Sequence, residues 1–332
     1  MGSVEVTESG FSGSLPFRTG HAQAIGLIMI LGSDNRSGLV ELEYFIVDVF
    51  TKTQFEGNPL AVVMNTACLT TERMQAIARE FNLSETTFVE RRAAEVERRE
   101  GVRVRIFTTQ EELNFAGHPT LGTASVLRLN APGTMRENTL TLAQNVGAVP
   151  VGFSDDGEFG EMKQRDPEFG AELDAKEVAW LTGLEVEDLG SGLPPQLVST
   201  GTTFAIVALK SDKALARFRV NAQEAPEWLR VHGARWFYVL GPTGGDEPAW
   251  RARMQFNGGE DPATGSAAGC AISYLVQRGV VAPGTRVHLR QGVEMGRPSD
   301  LFLSAQVQSA KVSDVRVGGS TVLVAKGMLR TP

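Results

Sequence analysis

The chain has 332 residues, 42% apolar and 21% charged, the make-up of an ordinary globular protein of about two domains. Its net charge of −7 argues against a nucleic-acid binder, and its two cysteines, Cys68 and Cys270, exclude a disulfide framework or a four-cysteine zinc site. The apolar stretch Ala24 to Leu31 is far short of the ~20 residues a bilayer needs and lacks the flanks of a signal peptide, so the expected location is the cytoplasm, away from any membrane.

Residues 1–42 read as an N-terminal extension with Ser/Gly-rich ends and no assigned role. Glu41 to Phe50 alternates and is rich in Val, Ile, Phe and Tyr, a strand pattern, and after the turn at Gly57-Asn58-Pro59 comes a second strand, Leu60 to Met64. Thr70 caps a helix through Phe81 with Met74, Ile77, Ala78 and Phe81 on one face. Strands are expected near 86–90 and 102–108, a helix from Pro119 to Leu129, and strands near 139–143, 148–153 and 158–164. Farther on, 176–184 and 212–218 read as short helices, and 196–209, 236–240 and 250–256 as strands. A helix from Pro262 to Gln277 precedes four short closing strands. Helices and strands mix without regular βαβ spacing, which indicates an α+β fold with largely antiparallel sheets.

His118-Pro119-Thr120-Leu121-Gly122-Thr123-Ala124 and Asp261-Pro262-Ala263-Thr264-Gly265-Ser266-Ala267 share one pattern, 143 residues apart, and each leads into an apolar helical run. Proline suits a first helical position, which would make His118 and Asp261 the N-caps. Chance similarity in a Gly/Ala-rich chain is the plain explanation. Duplication is the sharper one, and it sets two helix N-termini on facing surfaces. Their free N–H groups and partial positive charge make a cradle for an anion.

Glu85, His118 and Asp261 are the ionisable groups at these junctions. Each has a purely structural alternative: a solvated carboxylate, a buried hydrogen-bonder and a helix cap. Cys270 falls inside its helix and reads as core, against a two-thiol racemase. Ser266 or Ser84 as the nucleophile of a hydrolase is a rival without a Gly-x-Ser-x-Gly elbow. A non-catalytic binding protein is another. No dinucleotide or phosphate-loop motif and no zinc spacing is present, so neither cofactor nor metal is expected.

Several stretches together resemble the PhzF-like isomerases of phenazine biosynthesis, which share the diaminopimelate-epimerase-type fold. They are Phe55-Glu56-Gly57-Asn58-Pro59-Leu60-Ala61-Val62, Leu83-Ser84-Glu85-Thr86-Thr87-Phe88-Val89 and Arg105-Ile106-Phe107-Thr108. Phe115 to Gly122, Gly259 to Ala267, Gln291-Gly292 and Met295-Gly296-Arg297-Pro298-Ser299 complete the set. The resemblance implies two pseudo-symmetric halves, each an open, mostly antiparallel β-barrel around a central helix. Residues 43–147 with 318–332 would form one half, and 148–317 the other. It also implies a homodimer, no cofactor, and a small anionic organic substrate. Glu85 would move a proton within a carboxylate-bearing ligand, beside His118 and Asp261. Ser84, Gly117, Gly265 and Ser266 would bind the substrate.

Overall fold

The structure, a computed structural model, describes residues 39–245, 249–256 and 258–332, so the stretch Ala24 to Leu31 and His21 fall outside the described residues. In chain order the first elements are β1 (Val40–Val49), β2 (Asn58–Val63), α1 (Thr71–Phe81), β3 (Glu85–Glu90), α2 (Ala94–Glu100), β4 (Val102–Phe107) and β5 (Glu112–Leu113). Next come α3 (Gly117–Asn130), β6 (Thr139–Gln144), β7 (Gly147–Phe153), β8 (Phe159–Lys163), β9 (Glu168–Glu172), α4 (Ala175–Thr182), β10 (Gln196–Ser199) and β11 (Thr203–Ala208). The chain ends with α5 (Ala225–His232), β12 (Trp236–Pro242), β13 (Trp250–Phe256), β14 (Gly259–Asp261), α6 (Gly265–Gln277), β15 (Val287–Gln291), β16 (Ser299–Gln308) and β17 (Lys311–Thr331).

The ladders repeat. β2 runs parallel to β3, β3 antiparallel to β4, β4 parallel to β6, and β6, β7 and β8 follow antiparallel. In the same sequence β11 runs parallel to β12, β12 antiparallel to β13, β13 parallel to β15, and β16 and β17 follow antiparallel. Parallel neighbours need a crossover, and a helix fills each one: α1, α3, α5 and α6. The α+β architecture in two related halves is the one expected from the sequence.

Two details differ. The chain ends in three strands, the last of them 21 residues long, where four short ones were expected. Lys311 to Gly318 of β17 pairs with β16, Arg316 to Ser320 with β8, and Thr321 to Thr331 with β1. That reach closes β1, β2, β3, β4, β6, β7, β8 and β17 into a ring where an open barrel was expected. The β6–β7 hairpin and the β7–β8 ladder also place residues 147–163 in this first ring, whereas the sequence-based division assigned residue 148 onward to the second half.

α3 packs against strands all round the first ring, and α6 against β10, β11, β12, β16 and β17. Gly117 to Ala124 of α3 and Ala267 to Val276 of α6 are buried all round, as central helices must be. Leu121, Ala124 and Leu127 of α3 meet the inward residues Val47, Leu60, Val104, Ile106 and Leu140. Cys270 is fully buried in α6, in keeping with a core role. Outside the rings, Met74, Ile77 and Ala78 of α1 cover Val63, Phe88 and Phe107, with Thr70 accepting a hydrogen bond from the Arg73 N–H as the expected cap.

Gly292, just after β15, has φ 79°, and a Cβ there would collide with the Arg297 and Pro262 carbonyl oxygens. Gly292→Ala is therefore expected to cost more than the about 1–2 kcal/mol of a left-handed backbone alone, because two carbonyls must also move. Denaturant midpoints of the two proteins check this. An unchanged midpoint would show that the loop adapts freely.

Candidate active site

The two helix N-termini meet. A Cβ on Gly117 would lie 3.3 Å from the Ser266 nitrogen and 3.4 Å from the Gly265 Cα, and one on Gly265 only 3.8 Å from the Gly117 Cα. Glycine at 117 eases this head-to-head approach, whereas a Cβ on Gly265 would press first on the Phe50 ring, at 3.3 Å. Two partial positive charges then face each other, so an anion placed between them is stabilised by both.

The helices start at different points than their shared motif suggests. α3 begins at Gly117 with Ala116 as its N-cap, so His118 lies inside the first turn. Pro119 still falls in that turn, where its missing N–H costs nothing. α6 begins at Gly265 with Thr264 as N-cap, leaving Asp261 and Pro262 before the helix. Neither His118 nor Asp261 is a cap. Asp261 closes β14, opposite Met254, and this pairing holds it in extended backbone.

Freed from capping, Asp261 is fixed by side chains. Its Oδ1 accepts a hydrogen bond from the Asn58 amide at 2.8 Å, and its Oδ2 accepts one from the Thr264 hydroxyl at 2.7 Å. The Asn58 amide also donates to the Ala263 carbonyl at 2.9 Å and lies 3.2 Å from His118 Nδ1. Gln291 supports the far side, donating to the Asp261 carbonyl and the Thr264 hydroxyl and accepting from the Thr264 N–H and the Tyr238 hydroxyl.

The two Asn58 amide protons go to Asp261 Oδ1 and the Ala263 carbonyl, and an amide nitrogen does not accept, so a proton on His118 Nδ1 would meet no acceptor there and the ring proton is assigned to Nε2. That atom is 3.3 Å from Glu85 Oε2. Among the described residues neither atom has a hydrogen-bond partner of good geometry. Glu85 opens β3, held by the parallel ladder opposite Leu60. Burial raises its carboxyl to about 8; the nearby Asp261 charge adds to the rise and Arg235 opposes it. Burial alone pulls His118 down to about 3. Asp261 is raised to about 6 by burial, against the lowering hydrogen bonds from Thr264 and Asn58. Near neutral pH the pair is therefore an uncharged acid beside an uncharged imidazole, because two isolated charges are costly in this interior.

Glu85, His118, Asp261, Gly117, Gly265 and Ser266 thus come from both halves to one place around the helix N-termini. Ser84 is exposed in the turn before β3. Neither Ser84 nor Ser266 hydrogen-bonds His118, whose ring faces Asn58 and Glu85. Asn58, Gln291 and Tyr238 were not singled out from the sequence. Asn58 read only as a turn residue, and its one signal was its place in a stretch carrying the resemblance.

A cleft of about 840 Å³ lies between the halves, with Phe115, Gln164 and Thr200 among its walls and Glu111 and Arg235 on opposite sides. The Gln164 amide donates to the Gly265 carbonyl at 2.9 Å, which ties this wall to the start of α6. Glu85, His118 and Asp261 lie beyond the lining residues.

A family model described as phenazine biosynthesis-like protein, PhzC-PhzF, matches residues 47–327. An uncharacterized isomerase of Mesorhizobium japonicum is 36% identical over 301 residues, covering 86% of this chain and 98% of that protein. The trans-2,3-dihydro-3-hydroxyanthranilate isomerase of Pseudomonas aeruginosa is 32% identical, with coverage of 86% and 98%. Among solved structures, a PhzF-family phenazine biosynthesis protein of Bacillus anthracis superposes with a TM-score of 0.76 at 27% identity, covering 87% of this chain and 99% of the other.

Proposed function

This chain belongs to the phenazine biosynthesis-like PhzC-PhzF family and is an isomerase, and from that premise we propose that Glu85 moves a proton between carbons of a small carboxylate-bearing substrate. The observation that carries the reading is the buried Glu85 carboxyl, raised to about 8, beside His118 and next to two abutting helix N-termini. A base that must take a proton and then return it works best with a pKa near the working pH. At pH 7 roughly a tenth of Glu85 is ionised, enough to abstract, and the protonated form is then a competent acid.

Deprotonating carbon leaves negative charge on the substrate. The N–H groups at the start of α3 and α6 are already aimed at an anion, so they stabilise that charge without reorganising. His118, with its proton on Nε2, is a neutral donor for the same charge. Asp261 is held rigidly by Asn58 and Thr264 and orients a cationic or hydroxyl group of the substrate. Three relatives from Pseudomonas are named for a hydroxyanthranilate-type ligand, and a cyclic amino- and hydroxy-bearing carboxylate fits these donors and acceptors. Neither a metal nor a cofactor is needed for the steps described, and homodimer formation in the cytoplasm belongs to the same proposal.

Turnover in deuterium oxide tests it. Product is expected to carry solvent deuterium at the receiving carbon to the extent that Glu85 exchanges before return. The rate constant kcat/KM is expected to rise as pH increases through about 8, because only the ionised base abstracts. A profile flat from pH 6 to 9 would remove Glu85 from this role.

A further inference from the structure

The substrate-binding reading above leaves the cations that line the cleft, Lys163, Arg165 and Arg235, unassigned; Lys163 is paired with Asp314, and Arg235 is the one whose charge acts on Glu85. Arg235 immediately precedes β12, and β12 stands in the second half where β3 stands in the first. The parallel ladders open at Glu85 in one case and at Trp236 in the other. The pseudo-symmetry therefore sets Arg235 and Trp236 across from Ser84 and Glu85. The Arg235 side chain lines the cleft, and its charge reaches Glu85.

Its present partners are replaceable. The guanidinium lies 4.5 Å from the centre of the Trp236 ring, which fixes its plane. It donates to Glu111 Oε1 at 3.2 Å, across the cleft, and this pair is about half exposed, 45% for Arg235 and 59% for Glu111. An exposed pair of that kind contributes little. A carboxylate entering the cleft can take the place of Glu111 and be gripped through two nitrogens. The cleft, about 840 Å³, has room for an acidic group at Arg235, and its Gln164 wall touches the start of α6.

We propose that Arg235 is a specificity-determining residue that binds a second acidic group of the substrate, so that this isomerase prefers dianions, with Glu111 holding the guanidinium in readiness until the substrate arrives. The inference rests on the carboxylate-binding reading of the helix N-termini given above.

The test uses cyclohexanecarboxylate against cyclohexane-1,3- and 1,4-dicarboxylate, measured by calorimetry on the full chain, with Arg235→Gln and Glu111→Gln. The wild type is expected to bind the better dicarboxylate about tenfold tighter than the monocarboxylate. Arg235→Gln should erase that preference, weakening the dicarboxylate about tenfold more than the monocarboxylate. Glu111→Gln removes the competing carboxylate and should enlarge the preference. If the ion pair serves instead to latch the two halves, both variants change mono- and dicarboxylate binding by the same factor, and the proposal fails. It also fails if Arg235→Gln keeps the preference. Should the monocarboxylate not bind even the wild type, the helix-terminus reading falls first and this inference falls with it.

Discussion

Glu85→Gln is expected to lose about 10²–10⁴-fold in turnover while still binding carboxylates. Glutamine keeps the size and the hydrogen-bonding oxygen of Glu85 but cannot accept a proton from carbon. The variant also has a stability signature. The Glu85 carboxyl titrates near 8 in the folded chain and near 4.5 when unfolded. Its neutral form therefore contributes stability that is fully present below pH 4.5 and lost as pH rises to about 8. Glutamine does not ionise, so the variant should gain on the wild type across that window. At pH 8 its Tm should be higher by a few degrees, at about 2–4 °C per kcal/mol, and at pH 4 the gain should vanish. Stopped turnover with a pH-dependent Tm gain identifies a buried base. Wild-type turnover by the variant would reject Glu85 and turn the test to Asp261 or His118.

Asn58→Ala is expected to be the most damaging change that touches no reacting atom. The Asn58 amide is fully buried and supplies hydrogen bonds to Asp261 Oδ1 and the Ala263 carbonyl. Leaving each of these unpaired costs about 1–3 kcal/mol. Losing the donor also removes one of the bonds that hold Asp261 down, so its carboxyl should rise further above 6. His118 Nδ1 loses the group that selects its tautomer, and the Nε2 proton facing Glu85 is no longer assured. A misplaced donor costs about 10²-fold in rate. Urea unfolding and single-turnover rates measure the two effects separately. Asn58→Asp serves as the companion variant. It keeps the volume but sets a second carboxylate 2.8 Å from Asp261, and two such groups cannot both ionise. Its pH–rate profile should show one carboxyl displaced upward. A wild-type Tm and rate in the alanine variant would mean the network is dispensable.

Much of the architecture follows from local pattern. Alternating apolar residues in β4 point Val102, Val104 and Ile106 inward, and α3 and α6, lacking a charged face in their buried turns, take the centre. Such periods are legible because burial acts on each residue according to its own direction along the element. Where no apolar period exists, nothing is readable. α2 went unanticipated because it is a charged segment, Ala94 to Glu100, held by the Arg91–Glu97 ion pair rather than by a buried face. α5 went unread although Leu229 anchors it, since eight residues containing a proline give too short a period. The repeated Pro-x-x-Gly motif marked both central helices, yet it misplaced their starts, because strand pairing at Asp261 and not proline decides where α6 begins.

The two central helices were legible in the chain's own repeat, and the resemblance pointed to Glu85, His118 and Asp261 as candidates. The tertiary structure alone decided which polar atoms meet. Asn58 and Asp261 are 203 residues apart and Asn58 and His118 are 60 apart, and no local period encodes such pairs. It also decided the charge states. A glutamate titrates near 8 and a histidine near 3 only because the folded rings remove water from both. Desolvation depends on every neighbour brought in from distant chain, whereas alternation and helical period depend on residues a few positions away.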